Sequence, residues 1–273
     1  MSDRRGSVLR ALEAIGQSHD DRIDVAEGAL MLADYDRPAT DLGPYRRHLD
    51  ALAGARLGGD SVEDKASALR HLLAGQYGYA GDLETYDDLD NANLMRVIDR
   101  RCGLPVALSI LYIHAARAQG WDAAGLNFPA HFLIRLEADG ARAVIDPFNG
   151  GTCLGPAALR GLIKSVGGND AELHPDYYSA VSDRDILFRL HNNIRMRRLQ
   201  TGDLPGATHA TIALQALRPE EPRLTLEAGL MRARLGDKNA AIDDLERYMT
   251  MGGQEADRME AARVLATLKE SPA

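Results

Sequence analysis

The chain is short of aromatic residues, with one tryptophan, nine tyrosines and four phenylalanines among 273 positions. Its core must therefore be built mainly from leucine, isoleucine, valine and alanine. It has only two cysteines, Cys102 and Cys153, too few for a disulfide framework. No stretch approaches the roughly 18 apolar residues that would cross a bilayer. The opening MSDRRGSVLRALEAIG carries charge but no apolar run of signal-peptide length. These absences lead us to expect a cytoplasmic protein with reduced thiols and no membrane partner. Positive charge is also scarce: 32 Lys and Arg stand against 40 Asp and Glu, a net charge of −8. A broad nucleic-acid footprint would need a basic face to displace counterions, so no nucleic-acid partner is expected. The local cluster Arg195, Arg197 and Arg198 reads as a solvated helix face. There is no GxxxxGKS/T phosphate loop, no GxGxxG after a strand, no HExxH and no CxxC. No cofactor and no metal site is expected.

What the chain does have is 45% hydrophobic residues and 26% charged ones, enough for one large domain or two modest ones. Three regions can be separated. Residues 1–75 read as an N-terminal helical region: Ser7 can cap VLRALEAIG, Val25, Ala29, Leu30 and Leu32 recur at helical spacing, and Pro44 can open a third helix. His19, His48 and His71 lie there among charged neighbours and read as surface or satisfied histidines.

Residues 76–180 change character. An Asp/Asn-rich segment precedes the short helix NLMRVIDRR, and Cys102-Gly103-Leu104-Pro105 breaks it. Pro105 suits the first turn of a second helix, which is apolar on nearly every side as far as Gln119 and so should be buried, with His114 a core histidine. FLIRLEA and RAVIDPF read as strands joined by the turn Ala138-Asp139-Gly140-Ala141. The expected fold class is α+β: a buried central helix against a small antiparallel sheet.

Residues 181–273 are helical and repetitive. Leu199-Gln200-Thr201-Gly202-Asp203 returns as Ala233-Arg234-Leu235-Gly236-Asp237, and 236 − 202 gives a period of 34, with Ala207 and Ala241 at the same offset. That is the tetratricopeptide length for a helix–turn–helix pair. A glycine at each turn supplies a left-handed cap.

The candidate chemistry lies between positions 93 and 151, where a cysteine, a buried helix, a histidine and an aspartate follow in order. A thiol hydrolase or transamidase needs a cysteine near a helix N-terminus, a histidine within hydrogen-bond reach, and a carboxylate to orient the imidazole. Cys102, His131 and Asp146 are the candidates. If the two strand-like runs form a hairpin, His131 and Asp146 meet at its open end. A structural His–Asp pair is the other reading of the same spacing. Ser109, one turn into the buried helix, is a further nucleophile candidate, and Cys153 is a bystander or a redox partner of Cys102.

Several motifs carry a resemblance: Asn93-Leu94 with Val97, Arg101-x-Gly103-Leu104-Pro105-x-x-Leu108-Ser109, Asn127-Phe128-Pro129-x-His131-Phe132-Leu133, and Ile145-Asp146-Pro147-Phe148-x-Gly150-Gly151. They resemble the SirB-type family, bacterial proteins with a transglutaminase-like core followed by tetratricopeptide-like helices. The resemblance implies a transglutaminase/papain-like core, and Asn93, Arg101, Pro105, Ser109, Asn127, Phe128 and Phe148 as residues around its cleft. It also exposes a departure. In such cores the nucleophile stands about fifteen residues before the glycine that ends the buried helix, and 120 − 15 falls on Pro105. Cys102 lies three residues earlier, roughly 4.5 Å along a helix or up to about 10 Å in extended chain.

Three expectations follow, from different classes. One is a catalytically degenerate module binding a protein or peptide through its cleft and its helical repeats. The second is an active cysteine hydrolase or transamidase using Cys102, His131 and Asp146. The third is a scaffold whose central domain only caps the repeats.

Overall fold

In the computed structural model, which describes residues 2–38, 41–129 and 131–270, the apolar segment after Cys102 is a helix, Pro105–Ala118, with almost every side chain buried. Proline stands at its first turn, where a missing N–H costs nothing. Gly120 closes it at φ +74°. In chain order the helices are α1 (Ser2–Gln17), α2 (Val25–Asp36), α3 (Gly43–Ala53), α4 (Val62–Arg70), α5 (Leu94–Arg100), α6 (Pro105–Ala118), α7 (Pro156–Gly167), α8 (Asp183–Gln200), α9 (Leu204–Leu217), α10 (Pro222–Arg234), α11 (Lys238–Met251) and α12 (Glu255–Glu270). The strands are β1 (Ala80–Gly81), β2 (Cys102–Gly103), β3 (Asp122–Leu126), β4 (Leu133–Ala138), β5 (Ala141–Asp146), β6 (Thr152–Cys153) and β7 (Ala180–Val181). The chain divides into two units, His19–Asp34 with Ala39–Leu190, and Met1–Ser18 with Tyr35–Pro38 and His191–Ala273.

The first unit is α+β, as expected. Its five-stranded antiparallel sheet runs β6-β5-β4-β3-β7, and a separate two-stranded parallel ladder pairs Ala80 with Cys102 and Gly81 with Gly103. The β4–β5 hairpin turns at Asp139 (φ +51°) and Gly140 (φ +79°), the two left-handed residues that a tight hairpin turn matching strand twist requires. Leu126, Phe128, Leu133, Leu159 and Ile163 form one buried cluster against the sheet. Strand β3 was not legible in its sequence, Asp122-Ala123-Ala124-Gly125-Leu126. Gly125 is needed there because a Cβ would lie 2.6 Å from the Phe132 ring and 3.0 Å from Ile186. On α6, His114 Nε2 reaches the Leu49 carbonyl at 3.1 Å, a satisfied core histidine. The helix expected to start at Ser7 begins instead at Ser2, so Ser7 lies inside it and caps nothing.

The second unit is helical, and the backbone bonds of one turn recur in another. Asp203 N–H donates to Arg198 O at 2.8 Å and Asp237 N–H to Arg232 O at 3.0 Å. Gly202 N–H bonds Leu199 O, and Gly236 N–H bonds Ala233 O. Gly202 and Gly236 sit at φ +75° and +78°. This is the same left-handed helix stop, with its 6→1 bond, used twice at an offset of 34. Asp203 then caps α9 through Gly206 N–H. α1 also belongs to this unit, and its Gly16 comes so near α9 that a Cβ would sit 2.2 Å from the Ala216 carbonyl oxygen. Among the described residues, no helix is long and apolar enough to cross a membrane.

Candidate functional site

The β4–β5 register sets the site. Ile134 pairs with Ile145, which places Leu133 level with Asp146 and His131 just beyond the end of the hairpin. The two side chains meet: His131 Nε2 lies 2.8 Å from Asp146 Oδ1. The carboxylate is almost wholly buried, its side chain 2% exposed against 14% for His131. Asp146 Oδ1 also accepts from the Phe148 and Asn149 amides at 3.1 and 3.2 Å, and Oδ2 accepts from Asn149 Nδ2 at 2.6 Å. Burial alone would raise the carboxyl pKa, but the bonds from His131 and Asn149 outweigh it and hold Asp146 below its ordinary value. An ionised carboxylate can only accept, so His131 Nε2 carries its hydrogen and, in the neutral ring, Nδ1 is left as the acceptor.

A turn after Asp146 fixes the carboxylate. Gly150 and Gly151 have φ of +67° and +74°, and Gly151 N–H bonds the Asp146 carbonyl at 2.8 Å. A Cβ at Gly151 would lie 2.5 Å from the Tyr112 hydroxyl, so glycine is required twice over. Phe148 meets the His131 ring edge-on, with centroids 5.9 Å apart, and meets Tyr86 in the same way at 5.9 Å. The Phe148 ring rests on Gly81, where a Cβ would be 2.5 Å away, and Gly81 N–H donates to the Phe148 carbonyl at 2.9 Å. Beside these, Arg189 bonds Asn127 Oδ1 and lies 5.3 Å from the Phe132 ring centre.

The remaining sequence candidates fall elsewhere. Cys102 is in β2, on the backbone ladder with Ala80; it is half-buried, and burial pushes its thiol pKa up, with Asp82 and Asp88 adding to the rise against Arg100. Among the described residues its Sγ makes no hydrogen bond. The first position of α6 is Pro105, so no thiol stands at that helix N-terminus. Ser109 is fully buried, its hydroxyl without a partner among the described residues. Asn93 caps α5, accepting from Arg96 N–H at 3.3 Å. Phe128 is core, packed edge-on against Tyr177. Arg101 turns toward His48, Tyr77 and Tyr79. Cys153 is exposed in β6. The structure thus brings together His131, Asp146 and Phe148, and adds Asn149, Tyr86 and Gly81, which the sequence reading did not single out for this role. Among these only Asn149 had a local signal, lying in the Asp-Pro-Phe-Asn-Gly-Gly turn. Among the described residues, no group of three His, Cys, Asp or Glu side chains is placed to hold a metal ion.

Comparison with known proteins identifies the family. A family model described as the transglutaminase-like superfamily matches residues 44–192. A "UPF0162 protein" of Xylella fastidiosa (strain Temecula1) is 32% identical over 193 residues, covering 68% of each chain. One from Vibrio cholerae is 26% identical over 234 residues, 84% of this chain and 86% of that protein. The Salmonella typhimurium protein SirB1 is 24% identical over 190 residues, 69% of this chain and 70% of its own. No solved structure matches.

Proposed function

Since the chain belongs to the transglutaminase-like superfamily, in its SirB-type (UPF0162) family, we propose that it is a catalytically degenerate member, a binding or regulatory module acting on a protein or peptide partner. The observation that carries this reading is the residue at the start of α6. A thiol nucleophile gains its reactivity from the partial positive charge of a helix N-terminus and from an adjacent base, and that position is Pro105. Cys102 lies in a β-ladder, where burial pushes its thiol pKa up rather than down. The His131–Asp146 pair remains, with Nδ1 as an acceptor for a donor group on the partner and Phe148 and Tyr86 as an aromatic wall.

In this reading the 34-residue helix pairs are tetratricopeptide-like and offer the partner a second surface. The protein acts in the cytoplasm and uses neither nucleic acid nor membrane.

The test is the rate of Cys102 alkylation against pH in a Cys153→Ser background, with and without His131→Ala. The expected rate is slow at neutral pH, rises only at or above an ordinary thiol pKa of about 8.5, and is indifferent to His131. Rapid reaction near pH 7 that slows when His131 is removed would mean an assembled thiolate–imidazole pair, and the degenerate reading would fall.

A further inference from the structure

Arg101 ends α5 in the left-handed region, at φ +61°. Glycine serves that position without strain, so this arginine is held there at a backbone cost. Its side chain explains why it is held. Nη1 donates to the Tyr79 hydroxyl at 2.6 Å and faces His48 Nε2 at 2.9 Å. The guanidinium carbon lies 5.0 Å from the Tyr79 ring centre and 5.6 Å from that of Tyr77. His48 closes the box, edge-on to Tyr77 at 5.2 Å. Burial first, and then Arg101, push the His48 pKa down to about 4, and burial pushes Tyr79 up to about 12.

Among the described residues, Arg101 Nε and Nη2 make no hydrogen bond. The carboxylate whose field reaches this cluster is Asp99. It is already engaged, accepting from the Tyr45 hydroxyl at 3.1 Å and from Arg96 Nη1 at 3.4 Å. A cation has therefore been oriented by two aromatic faces and one imidazole, while its two-donor edge has no partner among the described residues. That edge matches the two oxygens of a carboxylate or phosphate.

We propose that Arg101, set in the His48–Tyr77–Tyr79 box, is a receptor for an oxyanion, bound bidentately through Nε and Nη2. The oxyanion has two sources, an acidic peptide side chain or free phosphate. This inference is independent of the role given to His131. If Arg101 only tied α3 to the segment before β1, its Nη1 bonds would suffice and the two-donor edge would be inert.

The test follows the His48 imidazole by NMR in the full chain, at constant ionic strength, during titration with inorganic phosphate and, separately, with glutarate as a side-chain mimic. A bound anion beside His48 favours its protonated form, so a saturable shift with a rise in the His48 pKa is expected. Arg101→Lys keeps a donor in the box but lacks the fork, and should weaken binding by about tenfold or more. If that variant does not fold, Tyr77→Leu, which removes one wall, should weaken binding severalfold. A response to phosphate alone assigns phosphate, and a response to glutarate alone assigns the acidic side chain. The proposal is overturned if neither anion moves His48 saturably, or if a folded variant titrates like the native protein.

Discussion

The carboxylate of Asp146 is the most heavily used acceptor of the site, and its removal is the most informative perturbation. Asp146→Ala strands the Phe148 and Asn149 amides and the Asn149 side-chain donor, and deprives His131 of its partner. Each buried donor left unsatisfied costs about 1–3 kcal/mol. Part of this is relieved by rotation of Asn149 and His131, so the expected loss is about 3–5 kcal/mol, the range for breaking a buried pair. Asp146→Asn keeps the three bonds to Oδ1 but sets one amide nitrogen against another at Oδ2, and should lose only about 1–2 kcal/mol.

Trp121 is the only tryptophan and lies in the same unit, so urea unfolding followed by its fluorescence reads this unit directly. Acid provides the second check. The folded-state pKa of Asp146 is depressed, so its contribution is complete above the unfolded value of about 3.9 and disappears as pH falls through the folded value. The gap between native protein and Asp146→Asn should stay constant above about pH 5 and close below about pH 3.9. An Asp146→Asn midpoint equal to the native one at pH 7, or a gap that persists undiminished at pH 3, would refute this account of the carboxylate.

Two other substitutions isolate single terms. At Gly202 and Gly236 nothing blocks a Cβ, so Gly202→Ala and Gly236→Ala should each cost only the left-handed backbone penalty of about 1 kcal/mol. The double variant should cost their sum in a thermal melt, and a clear excess over that sum would mean the two turns are coupled. Gly81→Ala drives a methyl into the Phe148 ring and should displace it from His131; the ring-current shift at the His131 Cε1 proton is the readout, and an unmoved signal would mean that Phe148 is not held by Gly81.

Much of this arrangement is legible in the sequence because it is local. Asp139-Gly140 specifies the hairpin turn, and the hairpin in turn carries His131 and Asp146 to neighbouring strand ends. Pro105 and Gly120 mark the limits of α6, and Gly202 and Gly236 mark the repeated stops. What could not be read is non-local. β3 has almost no strand propensity of its own, since its Ala-Ala-Gly centre is extended because β4 pairs with it and Phe132 covers it. Tyr86 reaches Phe148 from a loop some sixty positions earlier in the chain, and no periodicity links the two. His48, read as one more histidine among charged residues, became part of a cation box only when α3 was brought beside Tyr79. Ser7 offered good capping chemistry, but the helix starts five residues earlier and runs through it.

The paired stops of the helical unit bear on how that unit opens and closes in time. Each helix–turn–helix is closed by bonds spanning only a few residues, so its loops are cheap to form and their assembly is fast. Opening should follow the same grain. α12 buries only Ala261 and Leu265, whereas α9 buries nine of its side chains. Amide hydrogen exchange should therefore run down the array as a gradient, with α12 exchanging first and α9 last, each loss of protection exposing the next seam.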